Sequence, residues 1–125
     1  MELSLQHKTA LVCGGSQGIG KAIAIELAML GASCILLSRN LNSLQQTVKE
    51  LPVTNDQSHA CHAIDFNDVD ALKALVSNIT QDHTIDILIN NTGGPSAGPI
   101  ETADPMAFQA AFSQHLVCNH ILAQA

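Results

Sequence analysis

The chain has 125 residues, of which 46% are hydrophobic and 13% charged, and its formal net charge is −6. This length and composition are typical of one globular domain with a buried core, and they exclude a disordered chain. The negative charge argues against a nucleic-acid partner, because such proteins usually present a basic face. No apolar run has membrane-spanning length, and the first residues lack the layout of a signal peptide. We therefore expect a single cytoplasmic domain over residues 1–125, with no nucleic-acid or membrane partner.

The first half of the chain alternates between apolar strands and helices. Lys8–Cys13 is a short apolar run that predicts a buried parallel strand. A helix should begin near Gly18, after a glycine-rich turn, and end at Gly31. The apolar residues that mark this helix are Ile19, Ile23, Leu27 and Leu30, with Ala22 and Ala28 beside them. Cys34–Leu37 predicts a second strand, and Asn40 is the predicted N-cap of the helix that follows.

The second half continues the same alternation. His59–Ile64 predicts a third strand, and Asn67 is the predicted N-cap of a helix that buries one face. Ile85–Ile89 predicts a fourth strand, and Asp104 followed by Pro105 predicts the start of a last helix. This alternation predicts an α/β fold, namely a Rossmann-type doubly wound parallel sheet with helices on both faces. Together with the position of the glycine turn, it predicts the strand order 3-2-1-4.

The glycine-rich turn between the first strand and the first helix carries the clearest functional signal. Gly14 can adopt the backbone angles of a tight turn, and Gly18 would leave no Cβ between the backbone and a diphosphate. Gly20 would allow the helix to pack closely against the strand. The free N–H groups and the positive dipole end of the helix would then face the phosphates. The alternative is a purely structural turn, so the spacing alone leaves nucleotide binding open.

The residues after the second strand bear on the choice between NADP and NAD. An acidic side chain at this point would bind the adenosine ribose of NAD and repel a 2′-phosphate. The chain instead has Ser38, Arg39 and Asn40 here. Arg39 can form charge-assisted hydrogen bonds to a phosphate, and Ser38 can add a hydroxyl donor. The alternative is a solvated surface arginine. NADP is therefore the favoured cofactor, and NAD stays open.

The four cysteines and six histidines form no recognisable metal site. The cysteines contain no C-x-x-C pair, and we interpret them as free core thiols in a reducing compartment. They are Cys13, Cys34, Cys61 and Cys118. Neither of the two neighbouring histidine pairs has the i, i+4 spacing that places two ligands on one helix face. These pairs are His59 with His62 and His115 with His120. We therefore expect no bound metal.

Three motifs resemble those of short-chain dehydrogenase/reductases, and they occur in that family's order. Residues 13–20 match its T-G-x-x-x-G-x-G turn, with cysteine in place of threonine. Asp65 matches its acidic residue after the third strand. Residues 90–93 match its N-N-A-G motif, with threonine in place of alanine. The resemblance covers essentially the whole chain, which corresponds to the N-terminal half of a family member.

The resemblance also implies which residues bind the cofactor. Asp65 would lie beside the adenine, and residues 90–93 would line the adenosine ribose, although Asn90 and Asn91 also suit an ordinary turn at a strand end. A basic residue before Gly18, common in NADP-binding relatives, is replaced by Gln17. The predicted cofactor-binding residues are Gly14, Ser16, Gln17, Gly18, Ile19, Gly20, Ser38, Arg39, Asp65, Phe66, Asn91, Thr92 and Gly93.

The resemblance implies a carbonyl reductase similar to 3-oxoacyl-carrier-protein reductases, acting on a small carbonyl or alcohol substrate. In that family a tyrosine donates the proton, a lysine four residues later lowers its pKa, and a serine holds the substrate oxygen. This chain contains no tyrosine. His115 aligns with a fourth family residue, an asparagine, and could relay a proton through water, but an ordinary packed helix histidine is the alternative. We expect these 125 residues alone to be inactive.

The last helix leaves two interpretations open. Residues 116–123 are still helical in pattern near the end of the chain, with no stop signal, which favours a truncated reductase. The alternative is a naturally short protein that binds nucleotides or partner chains without catalysis. Truncation would leave the fourth strand as an edge and expose a helix face around Phe108, Phe112 and Leu116. In relatives that helix packs against a partner subunit, so we expect a homo-oligomer.

Overall fold

Four parallel strands form a single sheet in the computed structural model, which describes residues 3–91 and 99–125 apart from the side chains of Ile100 and Gln114. The strands are β1 (Thr9–Cys13), β2 (Ser33–Ser38), β3 (Ala60–Ala63) and β4 (Ile87–Ile89). They lie in the order β3-β2-β1-β4, and each neighbouring pair is parallel. The predicted sheet and its strand order are therefore confirmed, while β3 and β4 are shorter than predicted.

Helices cover both faces of the sheet. They are α1 (Gly18–Met29), α2 (Leu41–Glu50), α3 (Val69–Asp82), a 3₁₀ turn at Ile100–Thr102, α4 (Pro105–Phe112), a π-helical segment (Ser113–Val117) and α5 (Cys118–Gln124). Successive residues of β1 and β2 point to opposite faces, so the sheet has two cores. One core lies beneath α1 and α2, and the other beneath α3 and α5. None of the described helices is long and apolar enough to cross a membrane.

Three predicted helix boundaries are confirmed, two by capping hydrogen bonds and one by a backbone angle. The Asn40 side chain accepts a hydrogen bond from the Ser43 N–H at 3.0 Å and caps α2. The Asp104 side chain accepts one from the Met106 N–H at 2.9 Å and caps α4. Gly31 follows α1 with a φ of +104°, a left-handed conformation that favours glycine. Short polar side chains and glycine thus set these boundaries as the sequence predicts.

The predicted cap of α3 is wrong by one residue. Asp68 is the N-cap, and its carboxylate accepts a hydrogen bond from the Ala71 N–H at 3.0 Å. The N–H of Asn67 instead donates to the Asp65 carboxylate at 2.9 Å, within the turn that follows β3. Both residues are good capping types. The turn at Asp65 decides between them, because it fixes where the helix can begin.

The apolar residues that mark α1 in the sequence are only partly those that it buries. The residues that α1 buries are Gly20, Ala24 and Ala28, whereas Ile19 is 71% exposed. These small residues follow one another at four-residue intervals and therefore lie on one face of the helix. Small side chains allow the helix backbone to lie close to the sheet, so the large aliphatic residues are displaced to the flanks.

Candidate functional site

A cavity of about 390 Å³ lies at the carboxyl ends of β1, β2 and β4. Ligands of doubly wound proteins bind at this edge, where the connections leave for opposite faces of the sheet. In this fold α1 follows β1 on one face, and α5 lies on the other. The cavity is lined by Gly14, Ser16, Gln17, Gly18, Ser38, Arg39, Asn40, Phe66 and Asn91.

Two glycines of the turn are required by close packing. Gly14 has a φ of +68°, and a Cβ placed there would overlap the carbonyl oxygen of Asn91. A Cβ on Gly20 would overlap the carbonyl oxygen of Gly14 and crowd the Asn91 side chain, whose nitrogen would lie 2.8 Å away. The predicted close approach at Gly20 therefore exists, but its partners are the turn itself and the residue after β4, not β1.

Gly18 differs from these two glycines because its surroundings are open. Its φ is +59°, and a Cβ placed there would meet no atom within 4 Å. Gly18 is the first residue of α1, and the N-cap residue Gln17 makes no side-chain capping bond. The first N–H groups of a helix have no partner within the helix. This end of α1, which borders the cavity, is therefore suited to an anion.

Ser38 and Arg39 supply a hydroxyl and a positive charge to the cavity. The Ser38 Oγ is buried and has no hydrogen-bond partner in the part of the chain that the structure describes. Arg39 is the only charged residue among the described residues that line the cavity, and it forms no ion pair with any other described residue. Burying an unpaired hydroxyl costs free energy. A ligand with anionic oxygen atoms would satisfy both groups.

The predicted site residues are only partly gathered at this cavity. Ile19, Gly20 and Asp65 do not line it, although Ile19 and Asp65 are each adjacent in sequence to a residue that does. Thr92 and Gly93 lie outside the described residues. Asn40 lines the cavity but was predicted only as a helix cap. Its position directly after Arg39, at the end of a strand, was the signal that could have identified it.

A contact between distant parts of the chain supports the Phe66 wall of the cavity. Phe66 is 7% exposed, and its carbonyl oxygen accepts a hydrogen bond from the Cys118 thiol of α5 at 2.9 Å. Burial raises the pKa of this thiol, and the nearby Asp65 carboxylate raises it further. The thiol therefore stays protonated and remains a donor. Sequence reasoning missed this contact because the two residues are 52 positions apart.

The four cysteines are free, as predicted. Cys13, Cys34 and Cys118 are buried, and Cys61 is partly buried. Burial raises the pKa of Cys13 to about 12 and that of Cys34 to about 11. A neutral thiol is a poor nucleophile and a poor metal ligand. These side chains therefore serve as core residues.

The histidines that suggested a metal site have other surroundings. His59 accepts a hydrogen bond at Nδ1 from the Cys34 N–H at 3.1 Å, and its Nε2 lies 2.9 Å from the Pro52 carbonyl oxygen. This pattern assigns the proton to Nε2 and uses both ring nitrogens. His115 lies in the π-helical segment and does not line the cavity. Within the described residues, no group of three or more candidate ligands could hold a metal ion.

Comparison with known proteins identifies the family to which this chain is similar. The family model described as short chain dehydrogenase matches residues 8–124. The 7alpha-hydroxysteroid dehydrogenase of Escherichia coli strain K12 is 34% identical over 124 residues, which is 98% of this chain and 48% of that protein. The chain spans about half the length of the curated relatives it matches.

Solved structures with a similar fold include a member of the same family. A metagenomic short-chain oxidoreductase in complex with NADP has a TM-score of 0.85 at 34% identity, over 100% of this chain and 56% of the other. L-Sorbose reductase from Gluconobacter frateurii, complexed with NADPH and L-sorbose, has a TM-score of 0.89 at 27% identity. That match covers 99% of this chain and 48% of the other.

Proposed function

The chain belongs to the short-chain dehydrogenase family, and from this premise we propose that it forms the NADP(H)-binding part of an oxidoreductase. The enzyme would interconvert a small carbonyl compound and the corresponding alcohol. The unpaired Ser38 hydroxyl beside Arg39 carries the choice of cofactor, because a 2′-phosphate is the group that distinguishes NADP from NAD. Two structural relatives were solved with NADP or NADPH, which supports the same choice.

Residues at or next to the cavity can be matched to the phosphates, the adenine and the adenosine ribose of NADP(H). Arg39 and Ser38 would hold the 2′-phosphate, and the start of α1 at Gly18 would hold the diphosphate. Asp65 and Phe66 would bind the adenine. Asn91 would contact the adenosine ribose together with Thr92 and Gly93, which lie outside the described residues. When bound, NADPH supplies the hydride for the reduction.

The chain supplies binding groups but no tyrosine to act as proton donor. Its relatives place that tyrosine, a lysine and a serine in the part of the enzyme to which these residues do not correspond. We therefore propose that the 125 residues alone bind cofactor without turnover. His115, at the position of a family asparagine, is a candidate for relaying protons in the complete enzyme.

The substrate class is a separate part of the proposal. The relatives and solved structures are named for different substrates, namely a hydroxysteroid, a ketose and, at 25% identity, a 3-oxoacyl carrier protein. A 3-oxoacyl substrate remains one member of a panel that should also contain ketoses and ketosteroids. Assaying an extended chain against this panel with NADPH would identify the class. The proposal of carbonyl reduction fails if such a chain, containing the family's Ser and Tyr-x-x-x-Lys residues, reduces none of them.

We further propose that the protein assembles with copies of itself. Phe108 and Phe112 are each 59% exposed, and Leu116 is 58% exposed on the same side of the last helical stretch. Large adjacent apolar side chains of this kind mark interaction surfaces.

All four cysteines are free, which supports a reducing compartment such as the cytoplasm.

Arg39→Asp tests the cofactor assignment. The substitution replaces an attraction for the 2′-phosphate by a repulsion, so we expect NADPH affinity to fall by about tenfold or more. NADH affinity should stay level or rise, because a carboxylate there can accept hydrogen bonds from the ribose. Calorimetric titration of wild type and variant with both cofactors measures this.

Lys49→Asp provides the matched control for this experiment. It makes the same charge reversal in the last turn of α2, at a residue that does not line the cavity. We expect it to keep the wild-type preference for NADPH. If both substitutions changed the cofactor affinities equally, the change would come from the overall electrostatic field of the protein and not from a contact with Arg39. Wild-type binding of NADH as tightly as NADPH would overturn the NADP assignment.

A further inference from the structure

Thr47 connects α2 to the glycine-rich turn. It is 1% exposed, and it is the only polar residue buried as a whole among the residues whose burial the structure describes. Its hydroxyl lies 2.9 Å from the carbonyl oxygen of Ser43, one turn earlier in α2, and 3.2 Å from that of Ser16. The contact to Ser43 is the usual back-bond of a helical threonine. The contact to Ser16 reaches 31 residues back along the chain.

The contact to Ser16 fixes the direction of a whole peptide group. In a planar trans peptide the C=O of one residue and the N–H of the next point in opposite directions. Since the Ser16 carbonyl faces Thr47 in α2, the Gln17 N–H points away from α2. Gln17 is the N-cap of α1, and both it and Ser16 line the cavity. The orientation of this N–H decides whether it can serve an anion there.

The position of α2 also depends on the residues on either side of it. Its N-cap, Asn40, directly follows Arg39, so the helix begins where the proposed 2′-phosphate site ends. Near its other end, Glu50 pairs with Lys21 of α1. This ion pair between Lys21 and Glu50 is partly exposed, and ion pairs at the surface contribute little to stability. Thr47 is therefore the buried link between α2 and the turn.

We propose that Thr47 is a positioning residue for cofactor binding: it orients the Ser16–Gln17 peptide toward a diphosphate and holds the turn at a fixed distance from Ser38 and Arg39. This inference rests on the proposed NADP(H) site and assigns Thr47 a role in it without direct contact. A phosphate held at the turn and a phosphate held at Arg39 belong to one ligand, so the spacing between them determines affinity.

Three substitutions separate this role from ordinary packing. Thr47→Val keeps the shape but removes the hydroxyl, and Thr47→Ala removes it without adding an apolar methyl. Both should raise the dissociation constant for NADPH about tenfold, whereas Thr47→Ser should stay within about twofold of wild type. Thr80→Val is the matched control, because Thr80 makes the same back-bond in α3, to Val76 at 3.0 Å. It should leave NADPH binding unchanged.

Calorimetry at a temperature where circular dichroism shows each variant folded gives the dissociation constants. Wild-type affinity in Thr47→Val and Thr47→Ala would overturn the positioning role, even if both variants melted at lower temperatures. A loss of affinity in Thr80→Val equal to that in Thr47→Val would overturn it as well. Failure of the wild type to bind NADPH would overturn the proposed function itself, and this inference with it.

A measurement on the wild type does not depend on how the variants fold. In amide NMR spectra, titration with NADP⁺ should shift the Gln17 and Thr47 resonances and leave that of Thr80 in place. A Gln17 resonance that stays unchanged while NADP⁺ binds would contradict the proposed orientation of the peptide. Shifts of Gln17 and Thr47 that accompany those of the cavity-lining residues, with Thr80 unchanged, would support it.

Discussion

Glycine is needed at neighbouring positions of the turn for different physical reasons. At Gly14 and Gly20, a Cβ would overlap backbone carbonyl oxygens, which cannot move without shifting the turn. At Gly18 the space is open, and only the φ of +59° favours glycine. The sequence motif shows that glycines are required, but only the structure separates packing from conformation.

We therefore expect different results from Gly20→Ala and Gly18→Ala. Gly20→Ala should lower the free energy of unfolding by about 3 kcal/mol or more, because the overlap is with backbone. Gly18→Ala should cost roughly 1–2 kcal/mol, the price of a left-handed residue with a side chain. Urea denaturation of the two variants measures both values, and each variant serves as the other's control. A Gly18→Ala loss as large as that of Gly20→Ala would contradict the distinction.

At the scale of elements, one side-chain amide joins α1 to β2. Gln57 donates from Nε2 to the carbonyl oxygens of Ala28 at 2.8 Å and Ala32 at 3.0 Å. Its Oε1 accepts from the N–H groups of Thr54 and Asn55, each at 2.9 Å. The amide thus satisfies a carbonyl at the end of α1 and fixes the loop before β3. A carboxylate could accept the same bonds but could not donate.

Gln57→Glu should consequently destabilise the fold by about 2 kcal/mol. The substitution removes the amide donor from two carbonyl oxygens, of which that of Ala28 keeps the Gly31 N–H as a donor. It also places a negative charge at the negative end of the α1 dipole. Gln45→Glu is the control, because Gln45 is exposed on α2. It should change the free energy of unfolding by less than about 0.5 kcal/mol. Equal losses in the two variants, measured by urea denaturation near neutral pH, would show that added charge alone is responsible.

The elements themselves could largely be predicted from sequence, because their signals are local. Asn40, Gly31 and Asp104 act within one turn of the chain, so their patterns reveal the helix ends. The prediction of the α3 N-cap was wrong because Asn67 and Asp68 are both suitable capping residues, and the preceding turn decides between them. The apolar pattern that marks α1 did not reveal its buried face, because the close approach of the helix to the sheet requires small residues there, which the periodicity of large ones cannot show.

At the scale of the whole molecule, strand order and the place of the cavity followed from the alternation of elements. The contacts that complete the cavity did not, because they join residues far apart in sequence. Examples are Thr47 with Ser16 and Cys118 with Phe66. Such pairs carry no common motif, and tertiary packing alone brings them together. The π-helical segment at Ser113–Val117 was likewise absent from the helical pattern.

The apolar face of the last helical stretch leads to a prediction about assembly. Phe112 is 59% exposed between Phe108 and Leu116, so Phe112→Glu should introduce charge into the middle of any self-association surface. We expect the wild type to sediment as an oligomer and Phe112→Glu to shift it toward monomer. Met29→Glu, at a residue 56% exposed on α1, is the control and should leave the sedimentation unchanged. A wild-type monomer at all concentrations would exclude the assembly.

The close approach of Gly14 to Asn91, which leaves no room for a Cβ, bears on the order of folding. The backbone of the turn, α1, β2 and the start of α2 come from one continuous segment of chain and can form while the rest is still being synthesised. The turn is complete only when the second residue after β4 reaches it, because Asn91 lies directly against Gly14. A nascent chain can therefore close the turn only after β4 and Asn91 have left the ribosome. Among the described residues that line the cavity, Asn91 is the last to be synthesised.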